Sequence, residues 1–374
     1  MHVISGLDTG GAETMLLRLL SASGGDWQSM VVSLKDEGVI GPSIAKLGVP
    51  VECLHLRPNA PNPARLLSLL NLTRRFRPQV IQGWMPHGNL AASLTQFALR
   101  IPVPVIWNIR MSLDGVDGEK LTTMGLITLG AFLSRHPSAI IYNSRSGAIQ
   151  HEKRGYRSAM SAVISNGFDC DILRPDEHAR REIREQLGLE SDSILVGLVA
   201  RLHPAKDHFG FLQAASLVSA VHPESRFLLV GKGLTESEPA LTKLISKLNL
   251  TGRVFLLGER TDIPQLSAGL DIACSSSAYE GFSNSIGEAM ACGVPCVVTD
   301  VGDSAYLVGN TGVTVPPRNP DALAHAMGQL IEAGPTKRRE LGIAARRRIE
   351  SEFSMPKIAR RYKDLYRECL ACPQ

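Results

Sequence analysis

Apolar runs short enough to be strands alternate along this chain with longer amphipathic segments, and the alternation begins twice. Strands are predicted at 2–5, 29–34, 80–83, 103–108 and 139–143, with helices over 12–20, 63–76 and 90–99. The pattern restarts with strands at 194–200, 226–230, 254–257, 272–275 and 295–299, and helices over 209–221, 239–248, 263–268 and 285–291. A strand that returns parallel to its predecessor needs a crossover, usually a helix, so each half makes a parallel sheet flanked by helices. Two such sheets in succession make an α/β protein of two Rossmann-like domains. A length of 374 residues suits two cores rather than one. The polar stretch 163–175, with Asn166-Gly167 as its turn, is the expected join. The predicted domains are 1–166 and 167–353, followed by a helix within 354–374 that carries Ile358, Tyr362, Leu365 and Tyr366 at helical spacing. The first strand is unusually short: either the chain begins mid-strand or further residues precede it.

Composition narrows the function. With 44% hydrophobic and 20% charged residues the chain is globular, neither disordered nor fibrous. Aromatic residues are only 5%, which argues against a base-stacking surface and hence against nucleic acid as a partner. Seven scattered cysteines suit a reducing compartment, and the lone Cys369-x-x-Cys372 pair lacks the second pair a zinc site needs. The opening MHVISGL is not a secretory signal. The apolar stretch 121–134 carries three threonines and falls short of the ~20 residues of a membrane span, so it reads as a packed helix. A cytoplasmic protein, soluble or peripheral, is expected. Residues 1–166 hold 16 Lys and Arg against 10 Asp and Glu, and the remainder 24 against 26. A first half at +6 can meet an anionic partner or the inner face of an anionic membrane, or be an ordinary solvated surface.

The strongest chemical signal is Glu280-Gly-Phe-Ser-Asn-Ser-Ile-Gly-Glu288, placed where a predicted strand turns into a helix. Ligands bind at that edge of a parallel sheet. Gly281 permits a sharp turn and close backbone approach. The main-chain N–H groups of Phe282, Ser283 and Asn284 lie at the helix start, where anions and hydroxyls are favoured. Glu280 in the loop and Glu288 a turn into the helix can accept hydrogen bonds from the hydroxyls of one bound molecule. Two glutamates alone would be surface residues; the glycine, serine and asparagine between them argue otherwise. Upstream, Arg201 and Lys206 follow a predicted strand, and Gly10-Gly11 precede a helix. The spacing Gly6-x-x-x-Gly10-Gly11 fits neither a dinucleotide fingerprint nor a P-loop.

In these residues the chain resembles the retaining, family-4-type (group 1) glycosyltransferases. The Glu280-to-Glu288 segment looks like their E-x7-E signature, Arg201…Lys206 like their phosphate clamp, Ser165-Asn166-Gly-Phe-Asp169 like their hinge, and Gly6 to Glu13 like their N-terminal glycine loop. Thr299-Asp-Val-Gly302 and Thr311-Gly312-Val313 continue the pattern. The resemblance covers nearly the whole chain and is densest from 194 to 320. It implies the GT-B fold, two Rossmann-like domains facing a central cleft with the C-terminal helix crossing back. It implies a nucleotide-sugar donor, most often UDP-linked, and a glycan or lipid-linked acceptor of bacterial surface polysaccharides. No metal or other cofactor is implied.

On that basis Arg201 and Lys206 bind the diphosphate, Glu280 the donor sugar and Glu288 the ribose. Gly10, Gly11, Gly281, Phe282, Ser283 and Asn284 approach the donor through their backbone. His87, at a predicted strand end, and Arg110, in Trp107-Asn-Ile-Arg110-Met111-Ser112, are the acceptor-side candidates; Met111 stands where the family usually has His. Asp169-x-Asp171 spells the D-x-D of metal-dependent sugar transferases but falls in the hinge, and Asp114 and Asp117 read as loop caps. Two other readings stay open: a nucleotide-sugar epimerase of the same architecture, and a donor-binding subunit that catalyses nothing.

Overall fold

The computed structural model describes residues 1–25, 27–56, 63–114 and 121–371. Asp117 and Cys372 lie outside that set. The chain forms two compact units, one of Met1–Gly167 with Met355–Gln374, the other of Phe168–Ser354.

The first unit is a parallel sheet of β1 (His2–Ile4), β2 (Val31–Ser33), β3 (Val51–Cys53), β4 (Ile81–Trp84), β5 (Val105–Ile109), β6 (Ala139–Tyr142) and β7 (Ser161–Val163) in the order β3-β2-β1-β4-β5-β6-β7. Successive side chains point to opposite faces. Val3, Val32, Trp107 and Ile140 enter one buried cluster, with Ala91, Ala92 and Ile127 of the overlying helices. Their neighbours Ile4, Val31, Ile106 and Ile141 enter the other, with Leu16 and Leu19. The helix Met355–Ala371 completes this second layer: Ile358, Tyr362, Leu365 and Cys369 are buried there, and Tyr362 stacks on Trp84 with ring centroids 6.3 Å apart. Neither β3 nor β7 is foreseen from the sequence. Both are edge strands, partly or fully exposed along their length, so neither needs a strong apolar run.

The helix expected over 90–99 runs from Met85 to Leu99, a full turn longer. Pro86 suits the first turn of a helix, where the missing N–H costs no hydrogen bond. His87 therefore sits in a helical first turn and not in a strand-end loop.

The second unit is a parallel sheet of β8 (Ile194–Val199), β9 (Ser225–Val230), β10 (Val254–Leu256), β11 (Ile272–Ser275), β12 (Cys296–Thr299) and β13 (Val313–Val315), in the order β10-β9-β8-β11-β12-β13. Leu195, Leu228, Ala273 and Val298 face one cluster, and Val196, Phe227, Cys274 and Val297 the other. The unforeseen strand β13 is again an edge. The helix Gly334–Arg348 was also unforeseen: its Lys- and Arg-rich sequence shows no apolar stripe, and only Arg338, Gly342 and Ala345 are buried. Cys274, Cys292 and Cys296 are buried free thiols, and burial pushes the Cys292 thiol up to about 12.

Candidate active site

Ligands of open parallel sheets are met outside the carboxyl ends of the strands, where the winding reverses. In the second unit the chain winds outward from β8 to β9 and β10, then returns to set β11 against the other side of β8. The reversal lies between β8 and β11. Arg201 and Lys206 leave β8, and Glu280 leaves β11, so the sheet brings the two motifs to one place.

Lys206 closes a short 3-10 turn, Pro204–Lys206, capped by His203, whose Nδ1 accepts from the Ala205 N–H at 3.1 Å. Ser276 Oγ donates to the carbonyls of Lys206 (2.8 Å) and Asp207 (3.1 Å), and the Ala278 N–H donates to the Ala205 carbonyl at 2.8 Å. The loop after β11 thus carries the loop after β8. Lys206 Nζ forms an ion pair with Glu280, the two residues assigned separately to phosphate and sugar. Ser277 Oγ donates to the same Glu280 oxygen at 3.1 Å, and Thr299 Oγ1 donates to the Ser277 carbonyl at 2.6 Å. An ammonium has three N–H donors, so Lys206 can hold Glu280 and still meet a phosphate. Arg201 is exposed, with no ion pair among the described residues.

Ser283 is the N-cap and Asn284 the first residue of the helix Asn284–Ala291, and Glu288 lies a turn inside it. First-turn N–H groups have no acceptor within the helix and favour an anion. The Phe282 side chain turns inward, 5.8 Å from Phe353 and 6.3 Å from Phe168 between ring centroids, which leaves only its main chain to a ligand. Gly281 is not among the glycines with left-handed backbone, whereas Gly302 beside it is. Gly302 has φ +57°, and a Cβ there would lie 2.3 Å from the Glu280 carbonyl and 2.6 Å from that of Gly281. The Asp303 N–H also donates to the Gly281 carbonyl at 3.0 Å. The Glu280 loop is therefore shaped from β12, by residues that sequence reasoning recorded but gave no role. The run Ser275-Ser276-Ser277 was likewise missed; three successive serines at the end of a predicted strand were its signal, and all three are buried.

In the first unit the winding reverses between β1 and β4. Gly10 caps the helix Gly11–Ala22 after β1, and His87 follows β4. Glu13 lies so close to Gly10 that a Cβ there would meet its carboxylate at 2.3 Å. Burial pushes the Glu13 carboxyl up, against the pull of its backbone hydrogen bond. His87 is exposed, and partial desolvation with the charge of Lys35 holds its pKa below the usual imidazole value. It is thus a neutral hydrogen-bonding group at pH 7, better suited to a hydroxyl than to a phosphate. Arg110 is largely engaged within its own unit. It donates to Asn108 Oδ1 (3.2 Å), to the Tyr362 hydroxyl (3.1 Å) and to Asn166 Oδ1, and lies 5.4 Å from the Trp84 ring centroid. Met111 packs against the apolar cluster. Asp169 Oδ1 accepts the N–H groups of Asp171 and Ile172, a turn cap, and Asp114 accepts from Ser112 (3.0 Å) and Gln150 (2.6 Å).

His208, directly after the Lys206 turn, is buried with Nε2 3.3 Å from the Ala200 carbonyl, and burial lowers its pKa to about 4. The unfolded chain takes up this proton near pH 6.5 and the folded chain only near 4, so folding stability falls as pH drops through that window. The loss reaches about 3 kcal/mol. Denaturant unfolding at several pH values should show this slope reduced in His208→Gln.

Residues 193–333 match the family described as glycosyl transferases, group 1. The UDP-Gal:alpha-D-GlcNAc-diphosphoundecaprenol alpha-1,3-galactosyltransferase of Escherichia coli is 30% identical over 213 residues, 55% of this chain and 53% of that one. The alignment thus spans about half the length of that relative. The lipopolysaccharide core biosynthesis mannosyltransferase LpsB of Rhizobium meliloti is 26% identical over 275 residues, 72% of each chain. The crystal structure of HepE from Anabaena, in complex with UDP and glucose, superposes with a TM-score of 0.85 at 23% identity, over 98% of this chain and 100% of that one. Residues 193–333 thus carry the match to the group 1 glycosyl transferases, and the chain has the GT-B fold of two Rossmann-like domains.

Proposed function

We propose that this chain is a retaining, metal-independent glycosyltransferase that moves a sugar from a nucleoside diphosphate sugar, UDP-linked, to a glycan or lipid-linked acceptor. The synthesis of bacterial surface polysaccharide or glycolipid at the inner face of the cell membrane is the setting. The observation that supports this reading is the ion pair of Lys206 with Glu280 at the winding reversal of one sheet, with Arg201 in the loop that carries Lys206 and Glu288 in the helix that follows Glu280. In the reaction the bond from the anomeric carbon to the diphosphate oxygen breaks, and the acceptor oxygen takes its place on the same face. The acceptor proton passes to the departing phosphate oxygen. Negative charge grows on the diphosphate, and Arg201 and Lys206 are fixed cations that stabilise it as it develops. Glu280 accepts from sugar hydroxyls while Lys206 orients it, and Glu288 accepts from the ribose. Gly281 and the first turn of the helix Asn284–Ala291 supply main-chain N–H groups. Gly10 and Gly11 approach the donor through their backbone, and His87 serves the acceptor, with Arg110 as a positioning residue.

The test is product analysis by NMR after incubation with UDP-sugars and a polyprenyl-diphosphate-linked glycan, with EDTA throughout. A new glycoside that keeps the donor's anomeric configuration is expected. A changed UDP-sugar without acceptor would instead make the chain an epimerase, and donor binding without any turnover a binding subunit.

A further inference from the structure

Three helices of the first unit, Pro63–Phe76, Met85–Leu99 and Leu121–Leu133, contain no acidic residue. The last two contact each other, with Leu90 of one and Leu126 and Gly130 of the other around a shared small cavity. A helix that covers a core normally turns a polar face to water. Here the outward positions carry Leu94 (56% exposed), Phe97 (83%), Leu129 (47%) and Phe132 (64%). Leu94 and Phe97 follow Leu90 at helical spacing, and Leu129 follows Leu126, so the four extend one seam. Both helices return from parallel strands and end at the same edge, where Arg100 and Arg135 follow them, both exposed. The Arg135 guanidinium lies 5.3 Å from the Phe132 ring centroid.

We propose that this face is a membrane-docking surface, with Leu94, Phe97, Leu129 and Phe132 entering the headgroup boundary of a bilayer and Arg100 and Arg135 meeting anionic lipid phosphates. Bulky apolar tips beside arginines on an acid-free face match a surface that is apolar below and negative above. A second copy of the chain fits less well, because a two-fold contact here would bring like-charged arginines together. Among the described residues no helix is long and apolar enough to cross a membrane, so the contact lies on the bilayer and does not span it. The assignment rests on the transferase reading only for why a lipid surface is approached.

The full chain is floated with phosphatidylcholine vesicles, with and without about one third phosphatidylglycerol. Binding to the anionic vesicles that weakens with salt is expected. Arg100→Glu with Arg135→Glu should weaken it at least about twentyfold. Phe97→Ser with Phe132→Ser should weaken it about tenfold. Both variants should keep the thermal stabilisation by UDP, which shows that they fold and tests the donor site separately. Wild-type protein that ignores anionic vesicles, or variants that bind as well as wild type, would overturn the proposal. So would a wild-type dimer that becomes monomeric in the Phe97, Phe132 variant, since the face would then belong to a second copy.

Discussion

Lys206→Ala is expected to lower kcat for sugar transfer by about 100- to 1,000-fold, the usual effect of removing one preorganised donor from a developing charge. The change removes two things at once. The diphosphate loses a fixed cation, and Glu280 loses its ion-pair partner and, among the described residues, keeps the Ser277 hydroxyl. The KM for donor should therefore rise as well, because a carboxylate that wanders no longer presents its oxygens to the sugar. The lysine sits on a turn held by Ser276 and Ala278 through main-chain carbonyls, which the substitution does not touch. The melting temperature should thus change little, and steady-state kinetics beside a thermal melt separates lost chemistry from lost fold. Arg201→Ala should act through the diphosphate alone, lowering kcat with a smaller effect on donor KM.

Gly302→Ala is expected to abolish measurable donor binding while leaving a folded protein. The residue has left-handed backbone, which costs an alanine about 1–2 kcal/mol. The larger effect is steric, because the new methyl group would fall 2.3 Å from the Glu280 carbonyl oxygen and 2.6 Å from that of Gly281. The backbone must shift, and Glu280 with it. Displacing a binding group by about 1 Å can cost on the order of 100-fold. Gly188→Ala is the control in the same unit: its φ is +61°, and nothing lies within 4 Å of the added carbon. It should lose about 1 kcal/mol in denaturant unfolding and bind UDP normally.

The sequence made the interior strands legible because both of their faces are buried. Val196 and Leu195 serve opposite clusters, and such a strand reads as a continuous apolar run. The edge strands Val51–Cys53, Ser161–Val163 and Val313–Val315 are half solvated and left no comparable mark. The motif at Glu280 was visible from its spelling, since glycine, serine and asparagine between two glutamates suit a loop that meets a ligand. What shapes that loop was not visible. Gly302 lies 22 residues downstream of Glu280 and Ser276 lies 70 residues from the Lys206 it supports. Their roles exist only once β8, β11 and β12 lie side by side. Arg110 shows the converse: its charge suggested a ligand, while the fold gives it Asn108, Asn166 and Tyr362.

The most direct test of the central claim is calorimetric titration of UDP, with EDTA present, into wild-type protein, Glu288→Ala and the Arg201→Ala, Lys206→Ala double variant. The donor site assigned to the edge of β8 and β11 predicts saturable binding to wild type, with affinity reduced at least about tenfold in each variant by the loss of charge-assisted hydrogen bonds. Absence of binding to wild type, or equal affinity in all three proteins, would contradict it.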